Sequence, residues 1–377
     1  MQSSNDFEVV IIGAGVIGLA IAKELYENDI KSVLIIEKNR AFGQETSSRN
    51  SQVIHSAIFN DLNSNKFKHC AEGKNLLYDF LKKYDLEFER TEKIIVSKDS
   101  ELRSFNKFVM DITKKEIPFS KITKKELSII EPLVKSSNSL IIHESGILDV
   151  HQYMHQLYQI SNQSHDYLFN SKVLKIKFSN NIYITKIKEI SGSISEIKSK
   201  FLINASGLES FNLAKSLMGN KLTIPELRFF KGSYFKLSSK YRNKFKKLIY
   251  SLPSNEDSLG IHISFDEQKI PRLGPDYFEV FSNNGQFDYS VSDSSYEQFF
   301  NSAKDYIENL KKEDLSSDFS GIRPKFFVNE SLKSEFYIKE ESINGFPRFI
   351  NLIGIDSPGL TSSLSIANKI KNIFLKN

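Results

Sequence analysis

The 377-residue chain has no tryptophan and a single cysteine, Cys70. One thiol cannot close an internal disulfide, which excludes a stapled secreted scaffold. It equally excludes any all-cysteine zinc or iron–sulfur site within the chain. Charge of one sign is scarce too: the formal net charge is +5, so the chain is not polybasic throughout, although a local basic patch stays open. Long apolar runs are absent. Residues 9–22 come nearest, but they hold Gly13, Gly15 and Gly18 and follow Asp6 and Glu8. A spanning helix needs ~20 apolar residues, and a signal peptide needs a basic leading region. The expectation is a soluble, cytoplasmic protein. What is present is globular in proportion, with 40% hydrophobic, 12% aromatic and 26% charged residues. At ~150 residues per domain the length suggests about two or three units.

The chain begins by alternating strand and helix. Val9-Val10-Ile11-Ile12 reads as a buried strand, residues 15–27 as a helix, and residues 32–37 (SVLIIE) as a second buried strand. Helices are expected over 67–83 and 100–115, with a strand over 92–97 between them. Pro118 and Pro132 mark a loop region. Residues 140–207 return to α/β alternation, with a helix over 150–163 and a strand Phe201-Leu202-Ile203-Asn204 that ends in Ala205-Ser206-Gly207. From 221 to about 288, strand-like runs separated by turns predict a largely antiparallel sheet. A helix over 295–311 follows, then a final strand, a glycine-bearing turn and a helix over 360–375. No internal repeat is present. The basic run 240–247 (KYRNKFKK) reads as solvated surface, with weak attachment to an anionic membrane or acidic partner as the other reading. No nucleic-acid partner is expected.

Gly13-Ala-Gly15-Val-Ile-Gly18 carries the first chemistry. It follows a buried strand, opens a helix and precedes a second strand ending in the acid Glu37. Gly13 permits the tight turn, Gly15 lets main chain approach a pyrophosphate, and Gly18 allows close helix–strand packing. The helix N-terminus offers free N–H groups and positive dipole to phosphates. Glu37 suits ribose hydroxyls. A second such unit is missing, and a distant strand–turn–helix, Gly354-Ile-Asp-Ser-Pro-Gly359-Leu-Thr-Ser-Ser363, stands near the end. Its helix dipole could stabilise negative charge on a reduced flavin, which favours FAD over a nicotinamide cofactor.

Five further segments resemble one family: Thr46-Ser-Ser-Arg-Asn-Ser-Gln-Val-Ile-His55, Ser145-Gly-Ile-Leu-Asp149, Leu259-Gly-Ile-His262, Gly321-Ile-Arg-Pro-Lys325, and residues 354–363. With the N-terminal unit they resemble an FAD-dependent oxidoreductase of the D-amino-acid-oxidase superfamily, and within it the L-2-hydroxyglutarate dehydrogenases and oxidases. The likeness runs from about residue 8 to about residue 372. It implies an α/β fold, with a Rossmann-like FAD-binding domain and an α+β substrate domain on a mainly antiparallel sheet. The FAD domain is expected from 1–85, 140–215 and 320–377, and the substrate domain from 86–139 and 216–319. It also implies that Thr46, Ser47 and Ser48 pass near the flavin and its pyrophosphate, that Val173 contacts the adenine side, and that Gly207 belongs to a strand-end motif. Gly359, Leu360, Thr361 and Ser362 would contact the flavin pyrimidine edge.

In that family Arg323, within G-I-R-P, would fork onto the substrate's α-carboxylate, a geometry its planar guanidinium matches. A second carboxylate needs another donor, for which Lys231, Tyr234, Lys325 and Arg49 are candidates. Alcohol oxidation sends a hydride to flavin N5 and a proton to a base titrating near neutrality, which favours histidine. His262 is the expected base and His55 a flavin-side or substrate contact. Cys70 falls in a helical pattern and reads as a small buried hydrophobe. The expected reaction turns L-2-hydroxyglutarate, or a close 2-hydroxy acid, into the 2-oxo acid, with electrons leaving to oxygen, a quinone or another carrier. Membrane association is at most peripheral, on the inner face. Departures from the family at residues 230–234 and 251–258 bear on the substrate. An amine, amino-acid or glycerol-3-phosphate oxidoreductase, or a non-catalytic flavin-binding assembly protein, are the alternatives.

Overall fold

Strand β1 (Asp6–Ile12) sends Val9 and Ile11 to one face and Val10 and Ile12 to the other, all buried. A strand apolar on both faces belongs in the middle of a covered parallel sheet. That is its place in the computed structural model, which describes residues 6–252, 261–266, 268–283, 285–328, 331–333 and 335–376. β1 pairs in parallel with β2 (Val33–Ile36) on one side and with strand Ile194–Asn204 on the other. Strand Asp166–Leu168 continues the parallel set beyond β2, and strand Phe346–Ile353 beyond Ile194–Asn204. Two antiparallel strands, Ser171–Ser179 and Ile182–Glu189, extend this sheet along the outer half of Ile194–Asn204. Helix α1 (Val16–Glu27) joins β1 to β2. It packs on the Val9/Ile11 face with α2 (Asn65–Lys83), helix Val150–Ser161 and the C-terminal helix Gly359–Phe374.

Among the described residues the second sheet has ten strands, and all its pairings but one are antiparallel. Its middle runs through Leu315–Val328, Leu227–Leu237, Pro271–Gly274, His262–Phe265 and Leu248–Ser251, and then through Lys93–Ser97 to Asn138–Ile142. The exception is the parallel pair Lys93–Ser97 with Leu248–Ser251. Strands Asn138–Ile142 and Leu315–Val328 both lie in this sheet, so the domain boundaries expected at 140 and 320 fall inside its elements. A small sheet of Val53–Ile54, Gly146–Leu148 and Phe88–Glu89 stands beside them.

Two local expectations change. The stretch after Pro118 is no loop: strand Phe119–Ile122 leads into helix Lys124–Ile130. Thr123 and Glu126 form a reciprocal capping box there, a signal that the sequence carries openly. The helix expected over 295–311 stops at Ala303. Beyond it, Glu308 N–H donates to Leu133 O and Lys135 N–H donates to Tyr306 O, so a neighbouring segment takes the backbone groups a longer helix would use. Leu259, Gly260 and the 253–258 stretch lie outside the described residues.

Candidate active site

One cavity runs from the β1–α1 turn to the inner face of the second sheet. At the first end its wall is largely main chain. Gly13 holds φ +103°, and a Cβ there would stand 2.5 Å from Ala205 O. A Cβ on Gly18 would overlap the Gly13 carbonyl oxygen, so only glycine lets α1 start this close to β1. Ser47 Oγ accepts the Val16 N–H at 3.0 Å and ties the 46–51 segment to the first turn of α1. Glu37 is buried, and its carboxylate accepts the N–H groups of Ala14 and Asn39, both at 2.9 Å. Burial raises its pKa, and these two hydrogen bonds oppose the rise. Glu37 thus braces the turn and also lines the cavity, where Ser171, Val173, Ala205, Ser206 and Gly207 complete the end wall.

These residues fit an adenine dinucleotide. The cradle is backbone-lined where phosphate must approach, a helix N-terminus opens onto it, and an acid closes the far side. Gly359 and Leu360, at the start of the C-terminal helix, line the same cavity further along. Thr361 and Ser362 turn inward instead. Thr361 Oγ1 accepts the His55 N–H at 3.0 Å, and Ser362 Oγ donates to Pro358 O at 3.0 Å. Thr46 lines the cavity and donates to Ile322 O at 3.0 Å. Ser48 is not part of the lining; its hydroxyl points back to Glu45 O.

The other end is built from side chains on one face of the second sheet. Leu227–Leu237 pairs with Leu315–Val328 so that Phe230 opposes Arg323 and Gly232 opposes Gly321. The alternation of a strand then puts Gly232, Tyr234, Gly321, Arg323 and Lys325 on the cavity side. It puts Lys231 on the reverse side, where Nζ stands 3.1 Å from Asp288 Oδ2. The expected substrate contact at Lys231 is therefore corrected: neighbouring residues on a strand face opposite ways.

Arg323 Nη2 donates to Asp276 O at 2.9 Å, and no carboxylate among the described residues pairs with its guanidinium. Its cation and that of Lys325 both lie 5.4 Å from the Tyr277 ring, which stacks on Phe230 at 4.5 Å. Lys325 Nζ is 3.7 Å from Asp356 Oδ2, and Asp356 also pairs with the buried Lys66. Burial chiefly, then Lys66 and Arg323, pull the Lys325 pKa down to about 8, while Asp356 opposes them. Asp276 also faces the cavity; burial raises its pKa, and its carboxylate accepts the Ser233 N–H at 2.6 Å. Tyr234 stacks on Phe319 at 4.5 Å. Arg49 lines the cavity with its guanidinium 4.4 Å from the Tyr289 ring.

His55 and His262 both line the cavity. His55 is held well below its ordinary pKa, first by burial and then by the charges of Lys93 and His262. Its Nε2 is 3.4 Å from Ser357 Oγ. His262 is buried and stacks on Tyr250 with ring centroids 3.7 Å apart. Cys70 is buried behind His55, and burial lifts its thiol to about 12, so it stays protonated. Tyr250, Asp276, Tyr277, Lys66 and Asp356 were not singled out from the sequence. Asp356 falls inside the 354–363 segment, but the other four sit in no local pattern that marks them; the sheet register and the packing of α2 bring them in.

The family model for FAD dependent oxidoreductases matches residues 8–372. The mitochondrial L-2-hydroxyglutarate dehydrogenase of Arabidopsis thaliana is 32% identical, over 98% of this chain and 83% of that protein. The L-alpha-glycerophosphate oxidase of Mycoplasma pneumoniae, solved with FAD bound, superposes with a TM-score of 0.83 at 21% identity, over 98% of this chain and 95% of that one. Glycine oxidase from Geobacillus kaustophilus gives 0.82 at 16% identity, over 99% and 96%. The architecture is accordingly a two-domain α/β fold with a Rossmann-like FAD-binding region and a second domain of largely antiparallel sheet. With a dinucleotide cradle at one end of its cavity and a family match across nearly all its length, the chain belongs to the FAD-dependent oxidoreductases of the D-amino-acid-oxidase superfamily and is an FAD-binding enzyme.

Proposed function

We propose that this enzyme oxidises L-2-hydroxyglutarate, or a close 2-hydroxy diacid, to the 2-oxo acid. One observation carries the reading: Arg49, Arg323 and Lys325 line the substrate end of the cavity, where no carboxylate among the described residues pairs with the Arg323 guanidinium. Such a wall attracts a dianion. Arg323 forks onto the α-carboxylate, and Lys325, with Tyr234 or Arg49, receives the distal one. Bound FAD supplies the two-electron acceptor for the hydride from carbon 2. His262 takes the hydroxyl proton on its imidazole, and His55 contacts substrate on the flavin side. Glu37, Val173 and Gly207 hold the adenosine end, with the main chain of residues 13–18 and the 46–48 segment along the pyrophosphate. The reduced enzyme passes electrons to oxygen, a quinone or another carrier. The name of the Arabidopsis relative supports this substrate.

A second reading takes glycerol 3-phosphate, whose phosphate is also a dianion; the cationic wall and the likeness to a glycerophosphate oxidase support it. Anaerobic titration of the purified flavoprotein separates the two. L-2-Hydroxyglutarate is expected to bleach the flavin absorption at stoichiometric amounts. Bleaching by glycerol 3-phosphate, an amine or an amino acid, with none by L-2-hydroxyglutarate, would sink the first reading.

A further inference from the structure

Lys93 has no part in the chemistry above. It is fully buried, and its Nζ has no hydrogen-bond partner among the described residues. An isolated cation is costly in that setting, so its retention calls for a reason. Strand Lys93–Ser97 is held on both sides, parallel to Leu248–Ser251 and antiparallel to Asn138–Ile142. Lys93 opposes Leu248, and Tyr250 lies two residues further along on the same face. Nζ reaches to 4.0 Å from the Tyr250 ring centroid. Strand Leu248–Ser251 in turn pairs with His262–Phe265 through Ile249 and Ile263, which sets Tyr250 beside His262. Because that strand lies between the other two, the tyrosine lies between the lysine and the imidazole, whose ring it meets at 3.7 Å.

The remaining groups around Lys93 are few. Cys70 faces it from α2 as a neutral thiol, and His55 faces it from the segment after Val53–Ile54. No carboxylate among the described residues pairs with it. A positive charge in this place disfavours a second positive charge on either histidine. Across Tyr250 it also occupies the π-system that would otherwise stabilise an imidazolium.

We propose that Lys93 is a positioning residue that holds His262 and His55 unprotonated, keeping a proton acceptor open to the substrate hydroxyl on the acid side of neutrality. This rests on the alcohol-oxidation reading above. Burial brings the lysine's own pKa down to about 7, so its charge is present below neutral pH, where it adds to the burial that already disfavours protonation of His55. With His262 roughly 8 Å away and an effective dielectric near 20, one charge shifts a neighbour's pKa by about one to two units.

The test compares Lys93→Met and Lys93→Gln, which remove the charge, with Lys93→Arg, which keeps it. All are measured as holoenzymes of matched flavin content. Ring titrations of 15N-histidine-labelled protein, assigned with His55→Asn and His262→Asn, give the first readout. The acid limb of kcat/KM gives the second. In the Met and Gln variants both histidines are expected to titrate about one to two pH units higher, and the acid limb to move up with them. The activity then falls about tenfold at a pH one unit below the new midpoint. The Arg variant retains the original midpoints. Histidine midpoints that stay put in both uncharged variants, or that move equally in the Arg variant, overturn the proposal. If the ring titrations shift while L-2-hydroxyglutarate fails to reduce the flavin, the positioning role stands and the substrate reading falls.

Discussion

At the dinucleotide end of the cavity, Gly13, Gly15, Ala205 and Gly207 bring main chain to the surface. At the other end, Tyr234, Tyr250, His262, Tyr277, Arg323 and Lys325 fill it with side chains. The first wall comes mostly from one contiguous strand–turn–helix, fixed by a steric requirement: no Cβ fits at Gly18 against the Gly13 carbonyl. The second wall comes from separate strands whose register decides which side chains face inward. The contrast suits the two tasks. Phosphate recognition needs N–H groups and close approach, which backbone provides. Discrimination among small substrates needs a few precisely placed polar and charged groups, which only side chains provide.

The comparison can be broken most severely at the backbone end. Gly18→Val is expected to displace α1 from β1 and abolish flavin retention, read as loss of the visible spectrum on purification. A yellow protein with unchanged melting temperature would show that the cradle tolerates a side chain. At the other end Arg323→Lys should leave the flavin content intact. It should lower kcat/KM for the acid substrate about 10- to 100-fold, because a point charge replaces a fork whose charged hydrogen bonds are worth ~1.5–3 kcal/mol. Equal activity in the lysine variant would argue for charge without geometry.

A smaller effect comes from Lys325. It is cationic below its pKa of about 8 and neutral above it, so KM for a dianion should rise severalfold as pH climbs through about 8. Lys325→Met should raise KM at low pH and remove that alkaline rise. A wild-type KM that is flat across this range would take Lys325 out of the binding wall. The smallest effect is expected at Lys231→Ala. Its side chain lies on the reverse face with the exposed Asp288, so kcat/KM should stay within about twofold and only stability should slip. A large rise in KM would place it in the site after all.

Which parts were legible in advance follows from the same contrast. Gly13, Gly15, Gly18 and Glu37 could be read directly because neighbours in the chain are neighbours in the cradle. The apolar run of β1 declared a sheet covered on both faces. Arg323, His55 and His262 were named through a family likeness, and the cavity does bring them together. Lys231 was placed wrongly because strand phase is invisible until the pairing of Phe230 with Arg323 is known. Ser48 and the side chains of Thr361 and Ser362 sit in the right segments yet turn away from the cavity.

The sequence by itself therefore determined the βαβ start, the dinucleotide cradle and the family, since each depends on steric rules and spacings within short stretches. The tertiary structure alone decided that Lys66 and Lys325 share Asp356, and that Lys93 stands behind Tyr250 and His262. Those partners are far apart in the chain or come from strands whose register no local pattern encodes. Their effect on charge arises only once burial removes the water that would screen them.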